Sequence, residues 1–333
     1  MASVSDFNRF AFVVGAPRCG TTTLAYFLRT HPSVCSPFVK EPHFFAQNDL
    51  RGVGDGELRA IVEAEYLGRF FGHCDADRRL GADGSVSYLY VPEQLEPVLR
   101  LWPQSRFVVA VRDPLKMLPS LHSRLIYLGD ETIARFEDAW AAVPARAAGR
   151  RIPKSCIEPR WLRYDEAGRF GTYVERLFAT VGRERCLVLV FDDMLADPAA
   201  QYRRLMDFVG LDPVEGIQLR PRRRSYAVRS GWLQRFLKRP PQRVRDLMAG
   251  EKFRQRERDL DDVDDGDNPA VETMLSIRKR LLRWNRKPLV ERPIPLAVQQ
   301  DIRIHLKEEI DHLGELIGRD LGHWLQPSAE AAR

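Results

Sequence analysis

The sequence predicts an α/β fold with a central parallel sheet flanked by helices, in a three-layer arrangement. Two observations predict it. Short runs that are apolar but for Arg106 recur at residues 10–14, 106–111 and 186–191. Runs of this kind, without polar alternation, suit strands covered on both faces, as in a parallel sheet. Each run is followed by a stretch with helical spacing rather than by a second strand, and that alternation argues for a parallel α/β architecture.

The elements follow in order. Residues 10–14 read as a buried strand that stops at Gly15. A helix from Thr21 carries Leu24, Phe27 and Leu28 on one face. Residues 33–40 are turn-rich, bracketed by Pro32 and Pro37, and lead into EPHFF at 41–45. Residues 52–56 form a glycine-rich loop. RFVVAV at 106–111 is the clearest buried strand, and it stops at Arg112-Asp113-Pro114. Pro114 suits the first turn of a helix running to Tyr127, in which Pro119 predicts a kink. CLVLVF at 186–191 reads as a third strand, and 198–209 as an amphipathic helix closed by Gly210. The chain turns basic at 222–239 and acidic at 259–267. The tail reads as a helix with Ile302, Leu306, Ile310, Leu313 and Ile317 on one stripe. The pattern predicts one domain over residues 1–333, with its core at about 10–211 and a basic loop and mainly helical part at 212–333.

Composition bounds the function. The 333 residues are 44% apolar and 29% charged, as in ordinary globular proteins. No apolar run is long enough for a membrane span, and the N-terminus lacks a basic region followed by an apolar one. The five cysteines (Cys19, Cys35, Cys74, Cys156 and Cys186) are odd in number and never fall in a C-x-x-C pair. That spacing predicts neither a disulfide framework nor a zinc site, and a reducing cytoplasm fits it. A net charge of +6 suits anionic ligands without choosing among them.

The chemistry concentrates in GAPRCGTTT, residues 15–23. A strand ends, the chain turns through Gly15 and Gly20, and a helix begins. Unpaired first-turn N–H groups and the helix dipole favour a phosphate there. Thr21, Thr22 and Thr23 add hydroxyl donors, and Arg18 adds a permanent, branched positive charge. The spacing is that of the Walker loop G-x-x-x-x-G-K-[ST], with Thr21 where the lysine would stand. This predicts a P-loop-like fold that has lost a main contact to the β- and γ-phosphates of ATP. RFVVAV ends in Arg112 and not in an acidic residue that would hold magnesium, so the site reads as one for anions without a metal.

GAPRCGTTTLAYFLRTHP, KEPHFF, VVAVRDPLKMLPS and LVLVFDDMLADP occur in one order. Together they resemble the sulfotransferases that use 3′-phosphoadenosine 5′-phosphosulfate, closest to the heparan-sulfate-type and bacterial small-molecule branch. The resemblance implies that Arg18 contacts the 5′-phosphosulfate, and that Cys19, Gly20, Thr21, Thr22 and Thr23 cradle the 5′-phosphate. It implies that Arg112 and Ser120 hold the 3′-phosphate. Glu41 is implied as the base that deprotonates a hydroxyl acceptor, with His43 as alternate or helper. If 41–43 is extended, the two side chains share a face. Arg223, Arg224 and Arg229 lie where the family often closes a basic loop over the nucleotide.

The implied donor is 3′-phosphoadenosine 5′-phosphosulfate, its product 3′-phosphoadenosine 5′-phosphate, with no metal, nucleic acid or membrane span. The acceptor is expected to be a small molecule. The chain departs from the family pattern at Met117, where an arginine is usual, and at Gly84, where a lysine is usual. Tyr66, Phe70, Tyr88, Trp140 and Trp161 are candidates to line the acceptor pocket. Two other readings remain open from the residues alone: a P-loop kinase using ATP, and a nucleic-acid-binding protein that uses the basic loop.

Overall fold

In a computed structural model, which describes residues 3–75, 80–219, 226–238, 269–288 and 293–326, strand β1 (Arg9–Gly15) lies at the centre of a five-stranded sheet. The other strands are β2 (Val34–Cys35), β3 (Leu80–Asp83), β4 (Arg106–Val111) and β5 (Cys186–Val190), in the order β2-β3-β1-β4-β5. Every pairing is parallel. The three predicted strands are present as the adjacent strands β1, β4 and β5. The two shortest, β2 and β3, complete one edge. The third differs by one residue, because Phe191 begins a helix instead of ending the strand.

The chain forms two compact units. The first comprises Met1–Asp113, Arg169–Arg223 and Glu308–Trp324, and contains the sheet. Its helices include α1 (Thr21–Arg29), α2 (Phe170–Val181), α3 (Phe191–Ala196) and α4 (Pro198–Val209). The bounds of α1 and α4 are those expected. Gly210 closes α4 in the left-handed conformation, with φ 69°. The core of this unit is aromatic. Phe12 stacks on Phe107 with ring centroids 5.5 Å apart, and Phe10 meets Trp102 at 4.3 Å. Rings of this size bury enough surface to dominate the stability of the sheet.

The second unit comprises Pro114–Gly168, Arg224–Lys307 and Leu325–Arg333. It opens with helix α5 (Pro114–Leu128), which continues through Pro119. Here the ion pair of Arg146 and Glu131 is almost completely buried, at 1% and 0% exposure. Arg146 donates to both carboxylate oxygens, at 2.9 and 2.7 Å, and the Tyr164 hydroxyl donates to the same carboxylate at 2.9 Å. Burial of such a pair is tolerable because the partners satisfy each other. Helix α6 (Gly231–Lys238) sets Gln234 against the Tyr127 carbonyl and against Asn285, just past the end of α7 (Pro269–Trp284). The last long helix, α8 (Leu296–Ile317), buries Ile302, Leu306, Ile310 and Leu313, the stripe the sequence predicts.

The cysteine pattern requires a correction. Cys35 at the end of β2 is disulfide-bonded to Cys74, with Cα atoms 5.8 Å apart. A separation of 39 residues gives no local spacing signal, so only the fold brings the two together.

Candidate active site

Because all five strands run the same way, their carboxyl ends lie along one edge of the first unit. β1 delivers the loop 15–23, β2 the strap 36–43, β3 the segment 83–87, β4 Arg112, and β5 Phe191.

The loop forms the strand-to-helix turn the sequence predicts. Gly20 caps α1 with φ 91°, and a Cβ placed on it would lie 2.8 Å from the Phe191 ring. Only glycine satisfies both conditions. The first bonds back to the Gly20 carbonyl come from the N–H groups of Thr23 and Leu24. The N–H groups of Thr21 and Thr22 therefore precede the helical ladder and are available to an anion. Arg18 holds the left-handed conformation at φ 66°, a costly setting for a branched, long side chain and one that concentrates at working sites.

Arg112 joins this loop. Its Nη1 donates to the Arg18 carbonyl at 3.4 Å, and its guanidinium lies 4.6 Å from the centre of the Phe191 ring. Its Nε is buried and makes no hydrogen bond. A buried donor left unused is costly, and an anion would satisfy it. Cys19 is completely buried, its thiol 3.5 Å from the Pro17 carbonyl. Burial pushes that thiol far above its ordinary range, against the opposing pull of Arg112 and Arg18, so it is not a nucleophile.

The strap assembles the second half of the site. His43 Nε2 lies 3.5 Å from Glu41 Oε2, and Lys40 bonds the other carboxylate oxygen. The segment is not extended: His43 has φ 56° and caps the short helix Phe44–Gln47. The expected pairing of Glu41 and His43 thus arises from a turn, not from strand alternation. Burial would raise the Glu41 carboxyl, but hydrogen bonding to His43 and the charge and hydrogen bond of Lys40 outweigh it and hold it at about 2.

Three residues that the sequence reading did not select set the orientation of His43. Ser85 Oγ accepts from its backbone N–H at 2.8 Å, and Ser87 Oγ meets its Nδ1 at 2.7 Å. Asp83 fixes the serine segment by accepting from the Ser85 N–H at 2.8 Å and from the hydroxyls of Tyr66 and Tyr88 at 2.9 and 3.0 Å. Tyr66 and Tyr88 are wholly buried, so they are core and not pocket lining. Asp83 bears on the kinase reading. It ends the strand beside β1, where an acidic residue could hold magnesium. However, it is buried and takes three protein donors, and burial raises its carboxyl above the ordinary range.

The remaining expected nucleotide-site residues belong to the second unit or lie outside the described residues. Ser120 lies half-buried on α5 in the second unit. Arg229, also in that unit, donates from Nε to the Trp284 carbonyl at 3.0 Å. Arg223 and Arg224 lie outside the described residues.

Comparison with known proteins agrees with this geometry. A family profile described as "Sulfotransferase family" matches residues 60–215, which include Asp83, Ser87, Arg112 and Phe191. Human heparan sulfate glucosamine 3-O-sulfotransferase 6 is 26% identical over 227 residues, 64% of this chain and 56% of that protein. Mouse heparan sulfate glucosamine 3-O-sulfotransferase 3B1 is 26% identical over 207 residues, 60% of this chain and 46% of that one. The chain therefore spans about half the length of these curated relatives. Among solved structures, a sulfotransferase from Alicyclobacillus acidocaldarius superimposes with a TM-score of 0.61 at 21% identity, covering 96% of this chain and 99% of that one. It supports the fold alone. Among the described residues no helix is long and apolar enough to cross a membrane. The ordered motifs and these matches show that the chain is similar to the sulfotransferase family, over residues 60–215 in the family profile.

Proposed function

We propose that this protein transfers a sulfuryl group from 3′-phosphoadenosine 5′-phosphosulfate to a hydroxyl of a small-molecule acceptor. The observation that carries the reading is the pairing of a strand-to-helix loop backed by Arg112 with a separate carboxylate–imidazole pair at the ends of neighbouring parallel strands. The residues fit the donor. The loop 15–23 offers N–H groups and hydroxyls to a 5′-phosphate, and the unused Nε of Arg112 suits a second anionic group.

The donor, when bound, supplies a sulfuryl group on a good leaving phosphate. The chain supplies position and charge. Arg18 neutralises charge that develops on the leaving side. Glu41, ionised at neutral pH, accepts the proton of the acceptor hydroxyl, and His43 holds Glu41 through its Nε2 while Ser87 holds Nδ1. We further propose that the reaction takes place in the cytoplasm and requires no metal.

Calorimetric titration with 3′-phosphoadenosine 5′-phosphate, against ATP with magnesium, tests the donor site. Tight binding of the bisphosphate, absent for ATP and lost in Arg112→Ala, is the expected result. Preference for ATP, or binding of neither, overturns the proposal.

A further inference from the structure

The strap that carries Glu41 is attached at two places. Its second half is fastened to the segment after β3: the Gly84 N–H donates to the Lys40 carbonyl at 3.3 Å, and the His43 N–H to Ser85 Oγ at 2.8 Å. Its first half is fastened to residues 70–74. There the Phe38 N–H donates to the Phe70 carbonyl at 3.2 Å, the Phe38 ring lies 3.9 Å from the His73 ring, and Cys35 is bonded to Cys74. Only the last of these attachments can be made and unmade by chemistry.

We propose that Cys35 and Cys74 form a redox-active pair that sets the hold on the strap, with small thiols and disulfides as its reaction partners. The 5.8 Å Cα separation is central to the disulfide range, so closure needs no backbone movement. Cys35 is buried, whereas Cys74 is half-buried and is the more open residue of the two. A ring nitrogen of His73 lies within 4.8 Å of both sulfurs, and an imidazole at that range favours the thiolate on which exchange depends.

The step balances. A thiolate of a small thiol attacks Cys74 Sγ, the bond to Cys35 breaks, and Cys35 leaves as a thiolate that takes up a proton. A second small thiol then attacks the mixed disulfide, which releases the Cys74 thiol and one molecule of small disulfide. Oxidation is the reverse, with the small disulfide as oxidant. The same three side chains could be read as metal ligands, but the sulfurs are bonded to each other, and no fourth ligand joins them among the described residues.

The effect on turnover rests on the function proposed above, whereas the pair itself does not. The test equilibrates the whole protein with glutathione disulfide or with dithiothreitol. It maps alkylated cysteines, bound zinc, amide exchange at residues 36–43, and turnover. In the oxidised sample Cys35 and Cys74 are expected as one linked peptide, with Cys19, Cys156 and Cys186 as thiols. Reduction is expected to speed exchange in the strap and to lower turnover by up to roughly 100-fold, since a displacement of about an ångström has that order of effect. Bisphosphate binding at the loop should stay unchanged. Cys35→Ser and Cys74→Ser should show the reduced behaviour in both buffers, and reduction of the wild type serves if either variant fails to fold. Independent alkylation of both residues in the oxidised sample overturns the proposal. So does stoichiometric zinc in the reduced one, or strap exchange that ignores the redox state. If linkage and exchange behave as expected but bisphosphate does not bind, the functional reading fails and the redox pair stands.

Discussion

The loop after β1 and the strap after β2 lie at the same end of one sheet, yet they hold their working groups by opposite means. The loop is built from backbone. Its donors belong to consecutive residues at the start of α1, and its long-range support comes from the Ala16 N–H bond to the Ala110 carbonyl and from Arg112, which reaches the Arg18 carbonyl and packs on Phe191. The strap is built from side chains. Glu41 takes its setting from Lys40 and His43, and His43 takes its own from Ser85 and Ser87, 42 and 44 residues away. A backbone site needs a short sequence and a glycine. A side-chain site needs the sheet to have formed first. The first should therefore tolerate losses elsewhere in the unit better than the second.

The largest expected effect separates the two regions. Glu41→Gln removes the base but no part of the cradle, so turnover should fall by roughly 100-fold or more while bisphosphate affinity stays unchanged. Steady-state kinetics beside calorimetry decide it, and full activity would shift the role to His43 or to the acceptor.

Next comes the converse change. Gly20→Ala places a Cβ against Phe191 at a positive φ, which should cost about 1–3 kcal/mol and weaken bisphosphate binding by roughly tenfold. Denaturant unfolding and calorimetry measure the two quantities. Unchanged affinity would mean the cradle is not where the anion sits.

The smallest effect sharpens the electrostatics. Glu41 has its carboxyl held at about 2, below the unfolded value near about 4.3. The stability this contributes is present above the unfolded value and is lost as pH falls through about 2. Lys40→Met removes one of the two groups that oppose burial, so the carboxyl should rise toward its ordinary range. The acid limb of kcat/KM, followed over roughly pH 3 to 8, should move upward with it. An unmoved limb would leave His43 alone as the group that depresses Glu41.

The same contrast explains what was legible. The loop, the strands β1, β4 and β5, and the helices α1 and α4 each carry their signal within a dozen consecutive residues. So does the tail stripe of α8. β2 and β3 do not. One is two residues long, and the other has a glycine in its middle, so neither shows a run of apolar residues. Ser85 and Ser87 were invisible for a related reason: a serine near a short strand looks like any turn until His43 is placed beside it. An extended course for 41–43 was the condition under which Glu41 and His43 would share a face, and the turn at His43 could not be read from a non-glycine residue. The Cys35–Cys74 bond was missed because its partners share no spacing.

The buried pair of Arg146 and Glu131 carries a consequence for how this chain can vary over time. Loss of either member alone leaves a charge sealed from water, an effect of about 3–5 kcal/mol, while replacement of both by apolar residues of similar volume is close to neutral. The two positions are thus a single heritable unit. Lineages that share this second unit should carry the arginine, the glutamate and the Tyr164 hydroxyl together, or have exchanged them together, and a lineage that holds one charge without the other should also hold a compensating change beside it.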